Sequence, residues 1–470
     1  MTNLARIYGS ACRLRIIAAV VVSALIVSGC GVISKNTSDG WQRFRNSSLF
    51  WFGRHGDLTE TEYGWAQTAW QYSVNNTDPN TGLVAGIDRY PTASMANIAE
   101  ALASLHVAYQ LEMVDDLNFD GRLSALLHFL NSMDLFDNKV PNRNYHTQTG
   151  KMVTLTGEPG QIGWSGLDIG RLLIWLNLYK RFYPAYGEYI DKAILRWDFC
   201  TLLATDGTIQ SGRLSNGQLT VRQDGRLGFE EYAAYGYALW GFNSSKAQLL
   251  LPYQVFNLYD IPFLVDGHDP RVDGVPNPLV PTSFWLAGIE FNWDLANDND
   301  DDHHHHSAPD LAQQAAQLYA LQQARFEQDA LHTARAEHIL SSAPWFLYDA
   351  VWGHGSAFPS IADDGSFHDQ LALVSTKATF LMWALWDTPY TDELMVLVEP
   401  LHDPQRGWFE GRYERSAGYE KAISLATNAA VLKSLLYKVQ GKLMHQPYPS
   451  ARLEVVRNNE FEHPGRCQPQ

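Results

Sequence analysis

Carboxylates set among glycines and aromatics, each beside a loop or a helix start, recur five times in this chain of 470 residues. The most developed case is Gly163-Trp164-Ser165-Gly166-Leu167-Asp168, which opens an apolar run with Ile169, Leu172, Leu173, Leu176 and Tyr179 at helical spacing. Arg226-Leu227-Gly228-Phe229-Glu230-Glu231-Tyr232 places adjacent acids at another helix start, and Gly407-Trp408-Phe409-Glu410-Gly411-Arg412-Tyr413-Glu414 sets two acids among aromatics. Asp78 to Val84 is a turn with Asp88 just beyond it, and Pro141-Asn142-Arg143-Asn144-Tyr145-His146 is a polar loop.

These residue types suit glycoside hydrolysis, in which one carboxylic acid protonates the leaving oxygen and a second, ionised, serves as base or nucleophile. Burial against an aromatic ring raises a carboxyl's pKa, as the acid requires. Asp168 and Glu230 are the expected acid/base pair, with Glu231 and Glu410 in reserve. Trp164, Trp408 and Tyr232 are expected as sugar platforms, and Asn142, Tyr145, Arg171, Glu290 and Asp88 as further substrate-binding residues. Each acid has a structural alternative. Ser165-x-x-Asp168 also matches a capping box, Glu230 and Glu231 would favour a helix N-terminus through its dipole, and Glu414 could pair with Arg412 or Arg415 on the surface. A second chemistry is elimination, in which Asn142, Arg143 or Asn144 neutralises a uronate while Tyr145 or His146 moves the proton. A third reading is glycan binding without turnover in an envelope assembly role.

The elements that must position these acids read as helix after helix: segments near Trp65–Tyr72, Ile98–Tyr109, Leu123–Met133, Asp168–Tyr179, Tyr186–Phe199 and Phe229–Phe242 come first. A weaker one near Phe284–Phe291, a long polar one over Pro309–Leu340, and Thr376–Trp386, Asp392–Val398 and Leu425–Val439 follow. Strand signals are few; Gln254–Val265 is a short strand or an extended loop. The expected fold is all-α: an (α/α) toroid of roughly ten to twelve helices, with long loops forming a cleft at one end. No repeat period argues for a solenoid. Asn297–His306 reads as a solvated loop, the Gln/Ala-rich helix after it as a surface insertion (about 294–340), and 446–470 as a Pro-rich tail.

Aromatics make up 12% of the chain, with 15 Trp and 22 Tyr, a composition that suits sugar sites as well as helical cores. The net charge of −16 argues against nucleic acid or an anionic lipid surface as partner. Arg6, Arg13 and Arg15 precede an apolar run, Ile16–Val27, that is short for a membrane span. It ends in Val27-Ser28-Gly29-Cys30, which resembles a bacterial lipobox. The expectation is a lipoprotein signal peptide over 1–29, lipidation at Cys30, a tether over 30–57 and a catalytic-like domain over 58–445. Such a protein is anchored in the cell envelope, on the periplasmic or outer-membrane face. Cys200 and Cys467 then remain, enough for one disulfide. Asp116-x-Asn118-x-Asp120-Gly121 begins like a calcium loop, but Leu127 stands where its Glu is needed. Without Gly-x-Ser-x-Gly, His-Glu-x-x-His or a phosphate loop, no metal and no cofactor is expected.

Taken together, these stretches resemble the bacterial family catalogued as domain of unknown function 3131. The matching residues are Trp65–Tyr72 with Thr81–Val84, Pro141-Asn142-x-x-Tyr145, Gly166–Leu172, Gly228-Phe229-Glu230-x-Tyr232, Thr376-Lys377-Ala378, Gly407–Glu414 and Thr427-Asn428-Ala429, over about 60 to 441. The resemblance implies an α/α toroid similar to glucoamylase-like and β-glucanase-like glycosidases, and a place in envelope or exopolysaccharide biology. It brings no assigned catalytic residue.

Overall fold

The computed structural model describes residues 53–250, 252–268, 277–294 and 311–444. The signal peptide, Cys30, most of the tether, the Asn297–His306 run and the tail lie outside the described residues. The described chain is mostly helical. In order come α1 (Glu60–Asn76), α2 (Met95–Gln110), α3 (Asp116–Ser132) and α4 (Gly166–Phe182). There follow α5 (Gly187–Leu195), α6 (Phe199–Leu202), α7 (Phe229–Leu239) and α8 (Thr282–Phe291). The series ends with α9 (Leu311–Asp329), α10 (Thr376–Leu385), α11 (Pro389–Val398) and α12 (Leu425–Gln440).

Six helices pack in a closed series: α2 on α4, α4 on α7, α7 on α8, α8 on α10, α10 on α12, and α12 back on α2. Their sequences explain why. Every residue of α8 and α10 is buried, as expected of helices surrounded on all sides. In contrast α3 and α9 bury one stripe, and pack on α2 and α8 respectively. Glycines set the tightest crossing: a Cβ on Gly236 of α7 would lie 1.9 Å from Gly170 O of α4, so the two backbones touch.

The six helices all begin at one end, because their N-terminal segments are tied to one another. Ser94, the N-cap of α2, pairs with Asn144 in a short ladder, and Arg143 N donates to Gly163 O at 2.8 Å, just before α4. Gly166 N of α4 donates to Ser211 Oγ at 2.9 Å, and Ile209 N donates to Glu230 of α7 at 3.1 Å. Arg226 Nη1 donates to Tyr348 at 3.0 Å, and Tyr348 stands opposite Glu337 in the next ladder. Glu337 accepts from Thr282 of α8 at 2.7 Å and from Lys377 of α10 at 2.6 Å. Thr376 N donates to Glu410 O at 3.0 Å, and Glu410 accepts from Ser424 and from Thr427 of α12 at 2.5 and 2.8 Å. Leu425 N donates to Gly86 O, and Gly86 N to Thr92 O, which returns to α2.

The structure refines or corrects several expectations. Strands are numerous, though short, because the loops before the buried helices pair with one another. Gln254–Val265 is the body of a hairpin, Tyr253–Leu258 with Ile261–Asp266. The segment read as Tyr186–Phe199 is α5 followed by the single turn of α6. The Gln/Ala-rich helix ends at Asp329, where Ala330 turns to a φ of 54°, and Glu337–Ile339 is a strand. Nor is α9 solvated on all sides: Gln314 donates to Leu264 O at 2.8 Å and accepts from Leu264 N at 3.0 Å. An amide satisfied by backbone on both atoms is cheap to bury, which composition does not reveal. Cys200 is disulfide-bonded, and the other cysteines lie outside the described residues. Among the described residues no helix is long and apolar enough to cross a membrane.

Candidate active site

Asp168 sits in the first turn of α4. Gly163 enters that turn with a φ of 99°, and its missing Cβ leaves room for Gly212 O, which explains the glycine before the indole. Ser165 Oγ accepts from Asp168 N at 3.2 Å, so the serine caps the helix. The return bond that completes a capping box at Thr59 and Glu62 is not made by Asp168. The residue as a whole is half-buried. Burial nonetheless pushes its pKa up, against the pull of Arg143 and Arg226, with Asp224 adding to the rise. A residue that solvent reaches while protein crowds its carboxyl is what the floor of a recess looks like.

Around Asp168 stand half-buried polar groups from three other segments. Asp224 follows the strand Gln218–Gln223, accepts from Ser211 Oγ at 3.0 Å and lies 3.5 Å from Arg226 Nε. The Arg226 guanidinium lies over the ring of Phe229 at 4.9 Å and near that of Tyr348 at 5.6 Å. In the ladder Glu337–Ile339 with Phe346–Asp349, Glu337 stands opposite Tyr348, and residues directly opposite share a face. Burial acts to raise the Glu337 pKa, but Lys377 and the Thr282 hydroxyl outweigh it and hold the carboxyl below its ordinary value. Asp168 and Glu337 are thus pushed in opposite directions, and a chain of contacts links them: Arg226 acts on Asp168 and bonds Tyr348, which stands opposite Glu337.

Glu230 lies behind this group, 4% exposed. It accepts from Ile209 N and from Gln223 Nε2 at 3.1 and 3.2 Å, and burial, with a contribution from Asp224, pushes its pKa up to about 7. Glu231 accepts from Gly228 N at 2.6 Å and caps α7, which fits its structural alternative. Glu410 is buried under Ser424 and Thr427; burial raises its pKa while Lys377 pulls it down. Glu414 corrects the surface-pair reading, being fully buried against Arg325 and Arg335.

Several expected sugar contacts are interior. Trp164 is 2% exposed, with Nε1 donating to Gln210 O at 3.0 Å. Trp408 is 0% exposed among Trp65, Phe380 and His402. Neither indole presents a face to a ligand, so the platform expectation fails for both. Asn142 and Tyr145 pin their own loop: Tyr145 Oη accepts from Asn142 N and donates to Asp134 O. A phenol so engaged moves no substrate proton, and the elimination reading loses Tyr145. Asp88 accepts from Asn76 at 3.2 Å and from Arg406.

Arg171, Tyr232 and Glu290 belong to a different structure, a buried charge cluster between the six helices. Arg171 pairs with Glu100, and Lys433 Nζ lies 3.0 Å from both Glu100 and Glu290. Tyr232 donates to Glu290 at 2.5 Å. Burial lowers the Lys433 pKa to about 8, although Glu290 works to raise it.

Asp224, Glu337, Lys377, Tyr348 and Phe229 are site residues that sequence reasoning passed over. The run Trp345-Phe346-Leu347-Tyr348 carried a strand-type aromatic signal, and Trp345 is 63% exposed. Nothing in the spacing pointed to Glu337, which lay inside a misread helix.

The family described as "Protein of unknown function (DUF3131)" matches residues 64–441. No curated protein sequence matches the chain. Among solved structures, a candidate glucoamylase from Bacteroides caccae superposes with a TM-score of 0.58 at 10% identity, covering 84% of this chain and 98% of that one. A second, from Bacteroides fragilis, gives 0.57 at 11% identity, covering 86% and 97%. An endo-β-1,2-glucanase from Chitinophaga pinensis, in complex with sophorotriose and glucose, gives 0.56 at 11% identity, covering 85% and 98%. At these identities the likeness shows a shared fold.

Proposed function

We propose that this chain, which belongs to the DUF3131 family, is a glycoside hydrolase built as an α/α toroid, with its cleft where the six buried helices begin. Asp168 is the acid and Glu337 the base. The observation that carries this reading is the Arg226–Tyr348 hydrogen bond, which links three acids: Arg226 acts electrostatically on Asp168 and lies 3.5 Å from Asp224, and Tyr348 stands opposite Glu337 in its ladder. The opposite displacement of the Asp168 and Glu337 pKa values supports the division of roles. Asp224 stabilises positive charge developing on the sugar, and Glu230 positions the Gln223–Arg226 loop rather than meeting substrate. Phe229, Tyr348 and Trp345 replace Trp164 and Trp408 as the aromatic walls. The neighbours that carry a glucanase name favour a glucan-type glycan, and the N-terminal segment favours an envelope setting with Cys30 lipidated.

In hydrolysis Asp168 gives its proton to the glycosidic oxygen while Glu337, kept ionised by Lys377, draws a proton from water on the other face of the sugar. Base-assisted attack of water on the face opposite the leaving oxygen inverts the anomeric centre. The test is turnover of β-glucan oligosaccharides followed by proton NMR of the first-formed anomer. Inversion with loss of turnover in Asp168→Asn and in Glu337→Gln is expected. Binding without turnover in the unmodified protein would replace this reading with a glycan-binding role.

A further inference from the structure

Resting on that reading and deepening it, we infer that the glycan is anionic, its charged substituent held between Arg143 and Arg226 beside Asp168. Arg143 is presented rigidly. Its backbone N–H bonds Gly163 O at 2.8 Å, and the preceding Asn142 is wholly buried, with Oδ1 accepting from Ile162 N at 3.0 Å and Nδ2 donating to Asn144 O at 2.9 Å. The side chain at the end of this brace has no hydrogen bond or ion pair among the described residues, and its Nε is buried without a partner. It lies in electrostatic reach of Asp168, as does Arg226. Arg226 is itself incompletely used: Nη1 serves Tyr348, while Nε, 3.5 Å from Asp224, makes no hydrogen bond.

Several other buried or half-buried arginines among the described residues are engaged through their terminal nitrogens. Arg335 and Arg325 hold Glu414, Arg171 holds Glu100, and Arg196 holds Leu130 O and Met133 O. A guanidinium whose backbone is braced and whose side chain is left unpaired within electrostatic reach of Asp168 is suited to an oxyanion that offers two oxygens to its parallel N–H donors. A uronate carboxylate and a sugar phosphate both present that chemistry.

The experiment is calorimetric binding of the soluble mature chain to three matched probes: an oligoglucuronate, the glucan obtained by reducing its carboxyls, and a phosphorylated glucan. Binding is read without turnover, so it stands apart from the hydrolysis assay. The expected result is a preference for one anionic probe over the neutral glucan of roughly tenfold to a hundredfold. Arg143→Gln brings the ratio of anionic to neutral affinity, measured within the variant, close to one, and Arg143→Lys restores part of it. Tighter binding of the oligoglucuronate assigns the anion as a carboxylate, and of the phosphorylated glucan as a phosphate. Equal affinity for the neutral and anionic probes, no binding of either anionic probe, or a preference that survives Arg143→Gln overturns the inference. Turnover of the neutral glucan alone would do so while leaving the hydrolase reading standing.

Discussion

The cluster between the six helices and the cluster at their starts are made of the same materials, and they do opposite things. Glu100, Arg171, Lys433, Glu290 and Tyr232 form a closed chain of contacts in which each charge faces an opposite charge or a hydroxyl. Asp168, Arg143, Asp224, Arg226 and Glu337 are half-buried, and there the Arg143 side chain has no hydrogen bond or ion pair among the described residues and the Arg226 Nε no hydrogen bond. A paired buried charge is architecture; an underused one at the surface of a fold is a site. Arg171 shows how narrow the margin is, standing one helical turn beyond Asp168 on the same face of α4.

The contrast breaks most sharply at Asp168. Asp168→Asn is expected to lower kcat by about 10²–10⁴ with an unchanged circular dichroism spectrum and melting temperature. A comparable change in the axial cluster acts on the other quantity. Lys433→Met leaves Glu290 buried without its cation and Glu100 with Arg171 alone, and should lower unfolding free energy in urea by about 3–5 kcal/mol, with kcat of the folded fraction unchanged.

Acidity sharpens the comparison further. Asp168 must be protonated to act and its pKa is raised, so activity falls as pH climbs through that value. Glu337 must be ionised and its pKa is lowered, so activity falls only when pH drops through it. The profile is bell-shaped, and Lys377→Met should move its acid limb to higher pH by about one unit while leaving the alkaline limb in place. The smallest effect belongs to Glu230. Its folded pKa of about 7 exceeds its ordinary 4.5, so the folded state holds the proton more tightly. That stabilisation is present below the unfolded value and is lost as pH rises through 7. Glu230→Gln, neutral throughout, should therefore gain on the unmodified protein in melting temperature between pH 5 and pH 8, while retaining far more activity than Asp168→Asn.

Much of this was visible in the residues. Helical periodicity found most of the helices, and the glycine-aromatic-carboxylate stretches marked the end of the molecule where they begin. What stayed hidden had local causes. Trp164 and Trp408 looked like platforms because an indole reads the same whether its face meets solvent or Phe136 and Phe380. Glutamines in α9 looked solvated because their partners, Leu264 and the backbone of Arg335, are far away in the chain. Glu337 was lost to a helix that stops eight residues earlier, and no local pattern announces that a lone glutamate will meet Lys377 and Thr282.

Glu337 owes its place to the register of a three-rung ladder, Glu337 to Tyr348, His338 to Leu347 and Ile339 to Phe346. Successive strand residues face opposite ways, and His338 on the reverse side already pairs with Asp349 at 3.3 Å. A slip of a single residue would bring an imidazole to the sugar and turn the carboxylate inward. Inserting or deleting one residue in the Leu340–Trp345 turn would thus silence the protein while leaving every acid in its sequence intact.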